Sequence, residues 1–425
     1  MAKHRIIKDD RQAQQRGVVT VQLPLPVVGV YLDARSAFHE LCIETGRQAL
    51  HAMMEADRAA LCGPKGKHNP DRQASRAGSA PSWVTLGGRQ IDIRRLRVRS
   101  KQGEASLPSF AWAADRDPLD AHTLEAVAAG VSTRKYERTL APVPVQVRGR
   151  STKRSSVSRR FVALSTQQMH AFLSQPLEDL KLRVVMIDGK AFRDHCLLIA
   201  LGIAADGEKH IVGLREGGTE NSRVVRALLQ DLVGRGLRTD RPLLFVIDGA
   251  KALRKAIRET FSEAGVVQRC QFHKRMNVLG HLPESLRPSV DRALRDAWEA
   301  KTAELAQRQL ERLARSLERE HPGAAASIRE GLEETLTLQS LGLSGALYRT
   351  LRTTNPIENL NGSVASYTRN VKRWRGGGMM LRWVSAALLE AKRGFRRVCG
   401  HRDLPQLIRA LDAQHDEPHG DSMVA

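Results

Sequence analysis

The chain is 425 residues long, carries a formal net charge of +22 and has a sequence pI near 10.4. It contains no run of about 18 apolar residues, which excludes a protein that crosses a membrane by helices. The positive charge indicates a polyanionic partner, either an anionic membrane face or nucleic acid, and nucleic acid is the better fit.

The cysteine content and the N-terminal segment indicate the cellular compartment. The five cysteines are sparse and odd in number, which fits a reducing cytoplasm rather than a disulfide framework. The apolar stretch 18–32 is interrupted by Pro24 and Pro26, and Asp9 and Asp10 precede it. We therefore expect no secretory signal peptide and a cytoplasmic protein.

Residues 1–110 are predicted to form a basic N-terminal region. A helical pattern covers 34–61, and the Gly-, Pro- and Ser-rich stretch 63–82 is typical of a linker. Two β-rich arms, 83–86 and 89–93, flank a Gly-Gly turn and predict a β-hairpin. The second arm continues through several arginines, which either contact phosphates or form a solvated face.

Residues 111–178 are predicted to form a helix-turn-helix-like DNA-binding region. A helical pattern over 117–130 ends at a glycine, Ser132 is placed to cap a second helix, and a basic segment follows at 148–160. The alternative is a scaffold whose basic side chains are only solvated. The side chains predicted to bind DNA are Arg134, Lys135, Arg148, Arg150, Lys153, Arg154, Arg159 and Arg160.

Residues 179–285 are predicted to form the first part of a catalytic core. The pattern gives strands at 183–187, 195–204 and 210–214, a helix at 221–236, a strand at 243–247, a helix at 250–263 and a strand at 266–269. This β-β-β-α-β-α-β order is that of a ribonuclease-H-like core, in which the first and fourth strands are neighbours.

A carboxylate follows each of those two strands. Asp188 and Asp248 both close an apolar run that ends in isoleucine, and a glycine follows each of them. A single Asp-Gly is more typical of a simple turn, but two in the same setting favour a shared site. Because neighbouring carboxylates repel unless a cation lies between them, the pair predicts a hard divalent metal.

The remaining segments complete the predicted architecture. Residues 286–350 are rich in Ala, Leu, Glu and Arg and predict an all-helical insertion domain, 351–400 the second part of the core, and 401–425 a C-terminal tail. Glu358 has two interpretations: the partner of Asn355 in a capping box, or a third carboxylate presented to the two aspartates. The predicted fold class is α/β: a ribonuclease-H-like mixed sheet interrupted by an all-α insertion and preceded by small helical, helix-turn-helix-like domains with a β-hairpin.

Six motifs between residues 115 and 400 carry a family resemblance. They are Asp188-Gly, Arg215-Glu-Gly-Gly-Thr-Glu-Asn221, Asp248-Gly-Ala-Lys251, Cys270-Gln-Phe-His273, Thr354-Asn-Pro-Ile-Glu358-Asn359 and Asn370-Val-Lys-Arg-Trp374. Together they resemble the Mutator-type transposases of bacterial insertion sequences. Residues 1–110 show no comparable match, which leaves open how such a protein would recognise the element's ends.

The resemblance implies a DDE transposase. Asp188, Asp248 and Glu358 would be the catalytic residues and would bind two Mg²⁺ ions, with Mn²⁺ as a substitute. The substrates implied are double-stranded DNA at terminal inverted repeats and target DNA, cut and rejoined by a homodimer or higher oligomer. The location implied is the bacterial nucleoid, with no membrane partner.

Further side chains have expected roles, and the resemblance itself carries a Cys-x-x-His motif at this place. Cys270 and His273 would either support the active site or serve structural packing alone, and a zinc site is not favoured because a second Cys-His pair is missing. Trp298 is either a DNA-stacking residue or a core tryptophan. The cations expected along the DNA are Lys251, Arg269, Lys274, Lys372, Arg373 and Arg375.

Two other functions stay open at this point. One is a ribonuclease-H-like nuclease without transposition, against which the large helical insertion and the separate basic N-terminal region argue. The other is a catalytically silent DNA-binding regulator, against which the three intact acidic residues argue.

Overall fold

The computed structural model describes residues 34–67, 69–86, 89–115, 149–151, 154–192, 195–217 and 222–416. They fall into two compact units, one built from residues up to 163 and the other from residues 164 onward. None of the helices in these ranges is long and apolar enough to cross a membrane.

The first unit combines helices with a small antiparallel sheet. Its elements are α1 (Ala34–Cys62), β1 (Ala74–Leu86), β2 (Arg89–Ser100), β3 (Gly103–Ala105), α2 (Pro108–Asp115) and β4 (Gly149–Ser151), and α3 (Arg154–Leu173) begins here. β2 is the central strand and pairs with the other three. Apolar side chains of α1 and α2 and the alternating ones of β2, such as Ile91, Ile93 and Val98, share one core.

The predicted hairpin is confirmed, but its first arm is longer than expected. β1 begins at Ala74, so the prediction of a linker over 63–82 is wrong for its second half. Gly78 and Pro81 made this part of the strand resemble a linker. Gly78 has a φ of +75° and lies at a register shift between Arg76 and Ser79. A bulge accepts such a glycine and an edge strand accepts a proline, which lacks the N–H that a central strand needs.

The second unit is organised around a five-stranded mixed sheet. Its elements up to residue 269 are β5 (Leu182–Phe192), β6 (His195–Ala204), β7 (Lys209–Gly217), α4 (Ser222–Gly234), β8 (Leu243–Ile247), α5 (Lys251–Phe261) and β9 (Gly265–Arg269). The strand order is β7-β6-β5-β8-β9, with the first two pairings antiparallel and the last two parallel. The predicted element order and the adjacency of β5 and β8 are confirmed.

Each face of this sheet has its own core, because successive strand residues point to opposite sides. Val185, Ile187 and Phe245 pack with the apolar faces of α4 and α5. Val184, Met186 and Val246 pack instead with helices that come later in the chain. Over 184–187 of β5 and in β8, odd-numbered residues therefore face α4 and α5, and even-numbered residues face the later helices.

The rest of the unit is helical. The helices are α6 (Gln271–Gly280), α7 (Arg287–Trp298), α8 (Ala303–Leu317), α9 (Pro322–Arg329), α10 (Leu332–Ser340), α11 (Gly345–Leu351), α12 (Asn355–Thr368), α13 (Gly377–Lys392) and α14 (Leu404–Asp416). Residues 286–350, all of which are described, contain helices and no strand, as the sequence predicts. Apolar side chains of α6 to α10 form a third core, whereas α12, α13 and α14 cover the Val184 face of the sheet.

Candidate active site

Asp188 and Asp248 lie on neighbouring strands and on the same face of the sheet. In the parallel pairing of β5 with β8, Met186 is opposite Val246, and each aspartate comes two residues later. Since positions two apart on a strand share a face, both carboxylates point to the side that α12 covers. The strand pairing thus brings together two residues that are 60 positions apart in the sequence.

The prediction that the first strand ends at Asp188 is wrong. β5 continues to Phe192, and Asp188 lies opposite Ile199 of β6. The strand continues because β6 still offers it backbone partners after the pairing with β8 has ended. By contrast, β8 does end at Ile247, and Asp248 accepts a 2.9 Å hydrogen bond from the backbone N–H of Ala250.

Glycine is required after Asp248 for two reasons. Gly249 has a φ of +102°, a conformation that L side chains rarely adopt. A Cβ at this position would also lie 2.1 Å from Nε of Arg269, whose guanidinium passes over the glycine. The Asp-Gly pair that the sequence presents as a turn signal therefore also makes room for a neighbouring strand's side chain.

Helix α12 brings a third carboxylate and an amide to the two aspartates. Glu358 and Asn361 are three residues apart and share a face of the helix. The Nδ2 group of Asn361 donates a 2.6 Å hydrogen bond to Oδ2 of Asp188, and the backbone N–H of Gly189 donates one of 3.0 Å to Oδ1. Burial, followed by the negative charges of Asp248 and Glu358, raises the pKa of Asp188 above its ordinary value.

Thr354, which is completely buried, links Glu358 to the Cys-x-x-His motif. Its hydroxyl donates to Oε1 of Glu358 and lies 3.3 Å from both Sγ of Cys270 and Nδ1 of His273. Cys270 sits just before α6, and His273 lies in the first turn of that helix. One hydroxyl therefore connects the start of α12 to the start of α6.

Cys270 and His273 shift each other's pKa in opposite directions. The hydrogen bond to the sulfur of Cys270 raises the pKa of His273 to about 9, although burial acts in the opposite direction. Burial by itself raises the pKa of the Cys270 thiol, but hydrogen bonds from His273 and Thr354 hold that pKa below its ordinary value. A positive imidazole therefore lies beside the carboxylates, with its Nδ1 3.9 Å from Oε1 of Glu358.

A soft metal is disfavoured at this position. Cys270, His273 and Glu358 each offer one ligand atom, all within 4.8 Å of one another, and no other group of three such residues occurs in the described parts of the chain. A structural zinc site uses four protein ligands. The Thr354 hydroxyl lies within hydrogen-bonding distance of all three groups and can donate to one of them at a time, which accounts for their convergence without a metal.

The capping-box interpretation of Glu358 is wrong. The residue at the N-cap is Thr354 rather than Asn355, and it makes no side-chain capping bond. Pro356 does lie in the first turn of the helix, where its missing N–H is tolerated. Neither Thr354 nor Asn361 was assigned a role from the sequence, although the spacing of Asn361 from Glu358 places both on one helical face.

Comparison with known proteins assigns the family. The model of the Mutator family of transposases matches residues 32–397. The chain belongs to the Mutator family of transposases.

Among curated relatives, the transposase for insertion sequence element IS6120 of Mycolicibacterium smegmatis is 32% identical over 243 residues, 55% of this chain and 74% of the relative. The transposase for ISRM5 of Rhizobium meliloti is 26% identical over 356 residues, 82% and 86% of the two chains. The transposase for IS256 in transposon Tn4001 of Staphylococcus aureus is 25% identical over 337 residues, 75% and 82% of the two chains.

A transposase of this family binds DNA, but three side chains expected to contact it are buried. Arg269 is 5% exposed and Lys274 is 2% exposed, and both donate hydrogen bonds to the backbone carbonyl of Glu330. Trp298 is 3% exposed and lies in the core of the helical segment, where its indole N–H donates to Thr335. The DNA-binding predictions for these three are wrong for this conformation, and Trp298 is a core tryptophan.

Other predicted DNA-binding cations of the transposase are at its surface. Lys251 has a side chain that is 89% exposed, at 3.6 Å from a Glu330 carboxylate oxygen. Lys372, Arg373, Arg375 and Arg159 are exposed, and Arg160 is partly exposed. Arg150 lies in β4 and Arg154 at the start of α3, at positions where only the backbone is described. Arg134, Lys135, Arg148 and Lys153, like the predicted pair of helices after 117, lie outside the described residues.

Proposed function

We propose that this transposase uses a DDE mechanism, in which Asp188, Asp248 and Glu358 hold two Mg²⁺ ions for cleavage and strand transfer at terminal inverted repeats. The observation that carries the proposal is that β5, β8 and α12 place three carboxylates near enough for the charges of Asp248 and Glu358 to act on Asp188, although their ligand atoms do not all lie within 4.8 Å of one another. Their repulsion contributes to the raised pKa of Asp188, and a bound divalent cation would relieve it.

The donor atoms fit a hard cation. Carboxylate oxygens are the ligands that Mg²⁺ prefers, and Mn²⁺ accepts the same set. Oδ1 of Asn361 is buried and is one of the side-chain atoms in the described residues without a hydrogen-bond partner. A further uncharged oxygen beside Asp188 suits such a site.

The protein's part in the chemistry is to fix the three carboxylates before DNA arrives. Divalent ions held by Asp188, Asp248 and Glu358 would supply the activation of an attacking oxygen and the stabilisation of a leaving oxygen at phosphorus. Asp188 is oriented by Gly189 and Asn361, Asp248 by Ala250, and Glu358 by Thr354. Each carboxylate thus has a partner that limits its rotation.

The sheet supports a ribonuclease-H-like core. Its order, β7-β6-β5-β8-β9, is third-second-first-fourth-fifth along the chain, with three antiparallel strands followed by two parallel ones. We also propose six domains or segments, of which residues 111–178 hold the helix-turn-helix-like region. Their boundaries are 1–110, 111–178, 179–285, 286–350, 351–400 and 401–425. Assembly as a dimer or higher oligomer on paired DNA ends, in the bacterial nucleoid, also belongs to it.

The test is cleavage and joining of DNA that carries the ends of the encoding element, with Mg²⁺. We expect Asp188→Asn, Asp248→Asn and Glu358→Gln each to reduce both reactions by more than the roughly hundredfold typical of outer-sphere partners, with DNA affinity little changed. Asp206→Asn, which alters an exposed acid in the turn between β6 and β7, serves as the control.

The outcomes separate the competing functions. Cleavage without any joining of a 3′ end to target DNA would indicate a nuclease. Binding without Mg²⁺-dependent cleavage would indicate a silent regulator. Strand transfer retained by one of the three variants would remove that residue from the proposed site.

A further inference from the structure

An exposed apolar pair lies on the helix that carries His273. Phe272 is 43% exposed and Met276 is 49% exposed, and they are four residues apart on one side of α6. The opposite side of α6, with Gln271, Lys274 and Val278, is buried. Exposed large apolar side chains in a pair are candidates for a binding role rather than for core packing.

This pair is close to the carboxylates. The ring of Phe272 meets the ring of His273 edge to face, with centroids 5.7 Å apart. His273 in turn lies 3.9 Å from Glu358. The side chain of His273 therefore lies between the aromatic ring and Glu358 of the proposed cleavage site.

The surroundings of the ring favour a nucleobase over an apolar peptide. The guanidinium of Arg275 lies 5.3 Å from the centroid of Phe272 and is held there by an ion pair with Asp291, at 3.3 Å. An aromatic ring beside a cation is an arrangement that proteins use to stack an unpaired base of single-stranded nucleic acid.

We propose that Phe272 and Met276 form a stacking platform for one unstacked DNA base beside the scissile phosphate. This inference rests on the proposed function, because it places the base relative to the Asp188–Asp248–Glu358 site. The platform would hold the strand end in place after the base leaves the duplex. It would take over the role that the buried Trp298 cannot fill in this conformation.

The test compares duplex substrates that carry the element's end, either intact or with a single abasic site at each position flanking the cleavage site. We expect Phe272→Ala to slow cleavage of the intact duplex roughly ten- to a hundredfold, as the loss of one base stack does. We expect an abasic site at one position to restore the rate in part, since no base then needs to leave the stack. Phe272→Trp should retain activity, whereas Phe272→Leu should behave like Phe272→Ala.

A matched control is Leu305→Ala on α8, where another large apolar side chain is 43% exposed. This variant should cleave at the wild-type rate on all substrates. A folded Phe272→Ala protein that equals wild type, or that is slowed equally on every substrate, overturns the inference. A change in the assembly's mass by light scattering, with no dependence on the abasic position, would assign the pair to a contact between proteins and also overturns it.

The same experiment keeps this inference separate from the proposed function. If wild-type protein cleaves with Mg²⁺ and Asp248→Asn does not, the proposed function stands whatever Phe272→Ala does. If wild type and Asp248→Asn behave alike, the proposed function fails, and the platform fails with it.

Discussion

At the scale of single residues, the site depends on partners that orient its acids. Asn361 is 4% exposed and reaches Asp188 from the helix that also carries Glu358. Thr354 is fully buried and connects Glu358 with His273. Such outer groups fix ligand geometry, and their loss weakens metal affinity or activity by about 10- to 100-fold in metal enzymes.

Asn361→Ala tests this orienting role. We expect cleavage to fall by about 10- to 100-fold and to require more Mg²⁺ for half-maximal rate, because Asp188 loses the hydrogen bond that Asn361 donates and keeps the one from Gly189. The measurement is the cleavage rate as a function of Mg²⁺ concentration. Asn359→Ala, at an exposed position of the same helix, should leave that dependence unchanged, and an unchanged dependence in Asn361→Ala would contradict the role.

At the scale of elements, two buried cations join the sheet to the helical segment. Arg269 ends β9 and Lys274 lies in α6, and both bind the carbonyl of Glu330, the residue that caps the C-terminus of α9. Positive charge at a helix C-terminus is favourable because the carbonyls there carry partial negative charge. The side chains predicted to line the DNA approach instead hold two parts of the fold together.

The buried ammonium of Lys274 makes stability depend on pH. Burial, together with the nearby charge of Arg269, lowers the pKa of Lys274 from 10.5 to about 8. Below pH 8 Lys274 is charged in both the folded and the unfolded protein, and burying that charge lowers the free energy of unfolding. As the pH rises from 8 towards 10.5, the folded protein loses this proton first, and the loss of stability disappears. The shift corresponds to about 3 kcal/mol at most.

Lys274→Met tests this dependence. The variant keeps the apolar volume and removes the charge, while Arg269 continues to bind the Glu330 carbonyl. We expect the wild type to gain free energy of unfolding relative to the variant between pH 8 and 10, measured by urea denaturation. Groups that titrate in both proteins cancel in the difference. Parallel curves over that range would show that Lys274 is not the cause.

At the scale of the whole molecule, the excess of positive charge sets how the transposase meets DNA. The net charge is +22, and the exposed Lys372, Arg373 and Arg375 precede the glycines at the start of α13. Each phosphate contact contributes about −0.9 to the slope of log affinity against log salt concentration on duplex DNA. A variant that loses phosphate contacts therefore shows a less steep slope, which identifies the side chains that make them.

Replacing Lys372, Arg373 and Arg375 together by Gln should make the slope less steep by up to about 2.7. The loss should be similar for all DNA sequences, because phosphate contacts do not read bases. Fluorescence anisotropy between 50 and 200 mM salt measures it. Gln at Arg308, Arg312 and Arg319, all exposed, makes the same change in charge, and an equal slope in the two triple variants would place the contacts elsewhere.

The amino-acid sequence by itself determined the order of strands and helices and the pairing of Asp188 with Asp248. The order follows from local rules, namely apolar runs and helical periodicity, and the pairing follows from the ribonuclease-H-like topology that this order matches. The hairpin's first arm was partly missed because glycine and proline are as typical of bulged edge strands as of linkers.

Only the tertiary structure decided which of the side chains expected to contact DNA are buried. Arg269, Lys274 and Trp298 are buried because helices that come later in the chain pack over them, and no local pattern records that contact. The same holds for Thr354 and Asn361, whose partners lie 81 and 173 residues away. Burial and long-range hydrogen bonds depend on how distant segments fold back on one another, which sequence periodicity does not encode.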